Sequence, residues 1–321
     1  MVSPAVIDAI PVAPWRGLEG RDRLAAWRSN VGEPVALDLA PPAAVTGIAR
    51  LAILSWNLWI GRGRLAEVVG RVRDMTDAPL VVLVQEAFRA DASVPHRVMA
   101  RRATGGFPPR VVPRADIVEL AAELRLNLRY VPSMRNGTGA SDRGNAILSD
   151  QPLAQVRAFE LPLVLQRRVP LVTTLALPLG PLQLVNAHLD PRGPAGTRVV
   201  GGTGRARQTR YLLDRLGDGL TVLGADLNLS RGKRERAWRL LHEAGFTTGV
   251  PPARAQWRHT FHALPRLILD YLLLRNDAGR VAAASVERLD EHPRDRGATV
   301  FGSDHHPLLA RIELESPGGV R

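Results

Sequence analysis

The chain predicts a four-layer α/β sandwich, with two mixed β-sheets packed face to face and helices outside, on three observations. Apolar runs of strand length outnumber amphipathic helices ten to four after residue 50, too many for a doubly wound sheet. The segment VPLVTTLALPLGPLQLVNAHL reads as two strands joined by a tight Leu-Gly-Pro turn. Such a turn demands antiparallel pairing, because parallel strands need long crossovers. Finally, neither an internal repeat nor a linker divides Leu51 to Leu314.

In chain order, residues 1–48 are rich in Pro and Ala, with one helix-like stretch at Asp22–Arg28 and no alternation that marks a strand. A partly ordered N-terminal extension is expected there, followed by one domain over residues 49–315 and a tail at 316–321. The expected strands are Leu51–Asn57, Leu80–Gln85, Gly144–Ser149, Leu153–Phe159, Val169–Leu177, Leu182–His188, Leu220–Ala225, Ile268–Leu274, Val281–Arg288 and Leu308–Leu314. Apolar residues three and four apart predict helices at Arg64–Arg73, Asp116–Leu126, Arg205–Leu216 and Arg234–Ala244.

Composition narrows the chemistry. The 321 residues are 45% apolar and 23% charged, and no run approaches the roughly 18 apolar residues of a membrane span. Arg167 and Arg168 interrupt the longest candidate. The N-terminus has no basic segment ahead of an apolar one, so a cytoplasmic protein without a membrane span is expected, and a monomer is expected as well. Cysteine is absent, which excludes disulfides, thiolate zinc sites and thiol nucleophiles; a catalytic metal must use oxygen or imidazole. The net charge of +12 favours a polyanionic partner such as nucleic acid. Only Lys233 among the 43 basic residues is lysine, a bias typical of GC-rich coding that explains arginine over lysine but not the excess of bases over acids.

Polar residues fall where the apolar runs end. LAILSWN ends at Asn57, VVLVQE at Glu86, LQLVNAH at His188, and TVLGADLN at Asp226 and Asn228. Asp270 lies inside the apolar run ILDYLLL, and Ser303, Asp304, His305 and His306 precede the last strand. Strand ends are where α/β proteins place their active sites. A lone Asn at a strand end more often caps a turn, whereas an Asp inside an apolar strand needs a partner, with Arg266 and Arg275 as structural candidates.

The elements WN, QE, NAHL, D-x-N, LDY and SDHHP occur in the order that characterises the endonuclease/exonuclease/phosphatase superfamily, which the chain resembles from about Leu51 to Leu314. RGNAILS, Arg143–Ser149, is similar to the family's strand beside the site and brings Asn145 forward as a substrate contact. The resemblance implies a deoxyribonuclease-like fold and a magnesium-dependent phosphoesterase, with manganese as a substitute. Magnesium prefers oxygen ligands and leaves positions open for phosphate, which points to Glu86, Asn57 and Asp304 as ligands. By resemblance Asp270 holds His305, which stabilises the phosphate. Asp226 positions or deprotonates water, Asn228 donates its amide, and His188 contacts the phosphate from the opposite side. Either Asp226 or His305 can be the base.

On an extended segment His305 and His306 face opposite ways, so His305 is expected in the site and His306 in packing. His96, His242, His259, His262 and His292 show no metal-ligand spacing and are expected to be surface or packing residues. GGTGRARQ, Gly201–Gln208, lacks the Walker lysine and the Rossmann spacing; it reads as a loop bordering the site, with Arg205, Arg207 and Gln208 as substrate contacts. Ala225 and Ser230 depart from the inositol polyphosphate phosphatase pattern, and Leu267 and His188 from that of abasic-site endonucleases. His188 is more similar to deoxyribonuclease, deadenylase and sphingomyelinase-like branches. The expectation is a nuclease, the alternatives being a phosphatase or phosphodiesterase on a small molecule or lipid head group, and a non-catalytic nucleic-acid-binding module.

Overall fold

A computed structural model describes residues 5–6, 10–40, 48–95, 113–136, 139–178, 180–191, 202–248, 259–263, 265–277, 279–292 and 297–315. In chain order its elements are β1 (Ala5–Val6), β2 (Val12–Ala13), α1 (Arg21–Arg28), β3 (Val35–Asp38), β4 (Arg50–Asn57), α2 (Leu65–Met75), β5 (Leu80–Arg89), α3 (Ile117–Leu124), β6 (Asn127–Arg135), β7 (Asp142–Ser149), β8 (Leu153–Phe159), β9 (Leu171–Leu175), β10 (Leu182–His188), α4 (Gly202–Leu213), β11 (Thr221–Asp226), α5 (Arg236–Glu243), β12 (Asp270–Arg275), β13 (Val281–Arg288) and β14 (Leu308–Leu314). One sheet has eight strands in the order β1-β3-β6-β7-β5-β4-β14-β13, the other six in the order β12-β11-β10-β9-β8-β2.

Period-two alternation makes the layers. In β4, Leu51 and Ile53 face the second sheet, while Ala52, Leu54 and Trp56 face helices α2 and α3; β5 divides Val81 and Leu83 from Leu80, Val82 and Val84 in the same way. On the opposite sheet Leu184 and Val222 point inward, and Val185, Ala187, Leu223 and Ala225 pack under α4 and α5. Three apolar layers therefore separate four structural ones, as the sequence pattern predicts. The sheets approach closely at Gly224, where a Cβ would lie 2.5 Å from Leu83 Cδ1 and 2.8 Å from Ser55 Oγ.

A buried amide bridges the sheets next to this contact. Asn186 of β10 donates through Nδ2 to the carbonyls of Val84 and Ala146, both at 2.8 Å, and accepts from Gln85 Nε2 at 2.8 Å. Val84 and Ala146 form the last regular pair before β5 slips by a bulge between Val84 and Ala87. The bulge lifts Glu86 into the left-handed region at φ 53°.

The β9–β10 hairpin is antiparallel with Leu175 opposite Leu182, and its turn needs Gly180 at φ 107°. Four strands lie outside the sequence-predicted set. β6 escapes because Pro132, at a bulge, and Arg129 break its apolar pattern, while Arg129 donates to the carbonyls of Leu37 and Leu153. The other three precede residue 48, where the sequence offers only the helix-like stretch that becomes α1. These strands borrow order from the domain: β2 joins β8 and β3 joins β6. Arg28 and Arg167 both pair with the buried Glu160, and Asp142 accepts from Arg89, Tyr130 and the Gly32 amide. The predicted tail at 316–321 lies outside the described residues.

Replacing Asn186 by Leu fills the volume but orphans two buried carbonyls. Chemical denaturation is expected to register a loss of at least about 2 kcal/mol, given roughly 1–3 kcal/mol for each unsatisfied group. An unchanged midpoint would contradict this role for the amide.

Candidate active site

The polar strand ends meet because strand direction brings them to one edge of the sandwich. β10 and β11 are parallel and pair His188 with Asp226; β12 is antiparallel and sets Asp270 opposite Asp226. Facing them, β4 ends in Asn57, the parallel β5 carries Glu86 at its bulge, and the segment entering β14 carries Asp304 and His305. Ser303 Oγ ties that segment to the Asn57 carbonyl at 2.7 Å, and Trp56 Nε1 donates to the His305 carbonyl at 2.7 Å.

Asn57, Glu86, His188, Asp226, Asn228 and His305 line a cleft of about 210 Å³, while Asp270 and Asp304 are not among its lining residues. Asn57 Nδ2 donates to Asp226 Oδ2 at 3.0 Å, and the other Asp226 oxygen accepts the Asn228 amide at 3.0 Å. This turn holds Asn228 at φ 52°, with its side-chain amide on the Leu189 carbonyl at 3.1 Å. His188 Nε2 is 3.3 Å from Asp226 Oδ2. Asp270 Oδ2 and His305 Nδ1 are 2.8 Å apart, while the buried Asp270 Oδ1 has no hydrogen-bond partner among the described residues.

Protonation follows from burial and crowding. Burial first, and the Asp270 carboxylate second, push the Asp226 carboxyl up to about 7. Burial draws the His305 imidazolium down, but Asp270, Asp226 and Asp304 overcome it and raise the group to about 10. His188 is held well below the usual imidazole range by burial, then by Arg168, His305 and Arg143. It is therefore neutral where His305 is charged.

Three of the residues named from the glycine-rich segment do not reach the cleft. Arg205 is buried in a bidentate pair with Glu235, Arg207 lies on Trp15 and donates to the Leu163 carbonyl, and Gln208 bonds Asp190 and the Pro162 carbonyl. Helix α4 begins at Gly202, so these side chains secure a helix that packs on the sheet instead of hanging from a loop. Asn145 is also buried and donates to the Val169 carbonyl at 2.8 Å, beside the cleft but not among its lining residues.

Sequence reasoning missed Arg143 and Arg168, which line the cleft. In a chain with 43 basic residues an arginine carries little signal. The neighbouring motif RGNAILS and the pair Arg167–Arg168 ahead of an apolar strand were the available clues. Arg62, Arg114, Arg143 and Arg168 repel one another in succession. Among the described residues Arg62, Arg114 and Arg143 make no ion pair, and Arg168 approaches only Asp190, at 3.6 Å.

The histidines expected in packing lie together, a proximity that their spacing in the chain does not show. His306 turns away from the cleft, and His259 and His262 join it in a buried cluster with ring centroids 5.0 to 5.6 Å apart. Burial, then Arg288, pushes His259 down to about 4.

A hard cation suits the oxygen side of the cleft. Asp304 Oδ1 is buried without a hydrogen bond among the described residues, its nearest cation being His305 Nε2 at 3.8 Å. Burial first, and later Glu86, raise the Asp304 carboxyl, so the two acids are near enough to repel each other. Asn57 Oδ1 accepts the Trp59 amide at 3.0 Å and keeps a second lone pair.

No curated protein matches the sequence. Among solved structures the chain is similar in fold to the catalytic domain of human nocturnin, at 16% identity over 88% of this chain and 98% of that one, with a TM-score of 0.56. Sphingomyelinase C from Streptomyces griseocarneus gives 17% identity over 82% and 99%, with a TM-score of 0.53. TDP2 from Caenorhabditis elegans gives 15% over 82% and 74%, with a TM-score of 0.52. A family model for the Endonuclease/Exonuclease/phosphatase family matches residues 54–305, most of the chain and every strand end that builds the cleft, and the chain belongs to that family.

Proposed function

We propose that this metal-dependent phosphoesterase is a nuclease that hydrolyses phosphodiester bonds of DNA or RNA with magnesium. The observation that carries the substrate class is the pair Arg143 and Arg168 in the cleft lining, continued by Arg114 and Arg62, each repelling the next; Glu86, the carboxylate that draws on Arg114 and Arg143, is one the cation would occupy. One phosphate needs one or two such cations, whereas a polyanion relieves the repulsion of all four. The Phe261 side chain at the cleft offers a face for stacking a base. A second reading, a small phosphate ester or lipid head group, draws on the apolar wall of Leu267 and Leu269.

Glu86 and Asp304, with the Asn57 amide oxygen, would hold the cation, which when bound neutralises charge on phosphoryl oxygens. The side chains supply the rest. Asp226, oriented by Asn57 and the Asn228 amide, takes the proton of the attacking water once it is ionised. His305 is charged at neutral pH and so cannot be the base; paired with Asp270, it presents Nε2–H to the phosphoryl oxygens as their charge develops. Neutral His188, with Arg143 and Arg168, fixes the phosphate on the other side.

Purified protein with magnesium is expected to degrade plasmid, single-stranded DNA or RNA, and chelation to abolish this. Glu86→Gln, Asp226→Asn and His305→Ala should each lower turnover by on the order of a hundredfold or more with unchanged circular dichroism. Full activity in any one of them removes that residue from the mechanism.

The rate at saturating substrate should rise with pH as Asp226 loses its proton and fall as His305 loses its own, about pH 10. A bound cation favours ionised carboxylate, so the lower limb lies at or below about 7. A pH–rate profile that climbs steadily to pH 11 contradicts the need for a protonated His305.

Arg143→Ala and Arg168→Ala should each raise KM for polynucleotide about tenfold and flatten its salt dependence by roughly one counterion. Activity confined to small phosphate esters and indifferent to salt would decide for the second reading.

A further inference from the structure

The histidine cluster behind the segment that carries Asp304 and His305 has a hydrogen-bond pattern that neutral imidazoles alone do not satisfy. His262 Nε2 lies 2.9 Å from the Gly297 carbonyl, which only accepts, so Nε2 carries the proton. His306 Nδ1 lies 2.9 Å from Asp290 Oδ1 and 3.3 Å from the Leu289 carbonyl, both acceptors, so Nδ1 carries the proton there. The remaining nitrogens, His262 Nδ1 and His306 Nε2, are then lone pairs facing each other at 3.0 Å. His259, 8% exposed, adds Nε2, which is buried without a hydrogen bond among the described residues. One ring nitrogen from each of the three lies within 4.8 Å of the other two.

We propose that His259, His262 and His306 form a second metal site, separate from the catalytic cleft, that binds one divalent transition-metal ion of the zinc type. Three neutral imidazoles suit such an ion and not magnesium, which demands oxygen. The outward N–H groups on Gly297, Leu289 and Asp290 are the carbonyl and carboxylate contacts that orient metal-bound histidines.

The site's position gives it a purpose. The His262 amide donates to the Asp304 carbonyl at 2.6 Å, the His306 amide to the Thr260 carbonyl at 2.8 Å, and Thr260 Oγ1 accepts the Asp270 amide at 2.9 Å. An ion there staples the 259–262 segment to the segment that carries His305. It secures the Asp270–His305 pair from behind, without touching substrate.

The test uses full-length, tag-free protein stripped with a chelator, loaded with zinc and desalted. Wild type, Glu86→Gln and Asp226→Asn should each retain about one equivalent, and His259→Gln and His262→Gln should bind zinc on the order of 100-fold or more weakly in competition with a chromogenic chelator. Zinc should raise the melting temperature of wild type but not of His259→Gln, and cobalt in its place should give the visible absorption of a nitrogen-ligated site. The proposal is overturned if wild type retains no zinc, as a proton shared between His262 and His306 would dictate. It is equally overturned if His259→Gln retains zinc while Asp226→Asn loses it, which puts the ion in the catalytic cleft. Neither result depends on which phosphate ester the cleft hydrolyses.

Discussion

The Asn186 amide, placed between two sheets that touch at Gly224, is the interaction on which the site depends. A bulge in a central strand disrupts its ladder at a depth where water is not at hand. Asn186 satisfies the Val84 and Ala146 carbonyls at that point from the opposite sheet and engages Gln85 as well. The bulge can then persist inside the core and turn Glu86 into the cleft at a backbone angle that a regular strand never visits. A local cost in β5 is thus met by a residue on β10, and the two sheets become one active-site scaffold.

Around that scaffold, charge is arranged by register. Because β11 and β12 pair Asp226 with Asp270, two buried carboxylates share one level of the sheet. Their repulsion is relieved by concentrating positive charge on His305, which Asp270 grips and whose ionisation climbs accordingly. His188, one strand further along and near Arg168 and Arg143, is driven the other way. Two histidines in one cleft thereby take opposite charge states, a division that follows from neighbours and not from residue type.

The alternation of side chains along the segment before β14 separates two roles. His305 enters the cleft and His306 enters the cluster with His259 and His262, so two nitrogen-rich environments lie back to back on one stretch of backbone. The hydrogen bonds between the 259–262 segment and residues 304–306 make each environment part of the other's support.

Much was legible in the sequence. Period-two apolar runs determined the layers and ten of the strands, since burial on both faces leaves few alternatives for such runs. The strand-end residues Asn57, Glu86, His188, Asp226, Asp270, Asp304 and His305 were readable because a polar group terminating an apolar run has to be accommodated at an edge. What stayed hidden depends on contacts distant in the chain. The strands before residue 48 and β6, with its Arg129 and Pro132, carry little apolar pattern of their own and are ordered by partners in the sheets. Arg205 and Gln208 looked like substrate contacts until Glu235 and Asp190, many residues away, claimed them. Arg143 and Arg168 were lost among like residues, and the three clustered histidines sit in segments whose approach no spacing encodes. The sequence by itself determined which residue types stand at which strand ends, because hydrophobic periodicity is local. Tertiary structure alone decided which charges face which, because electrostatic partnership depends on distance in space.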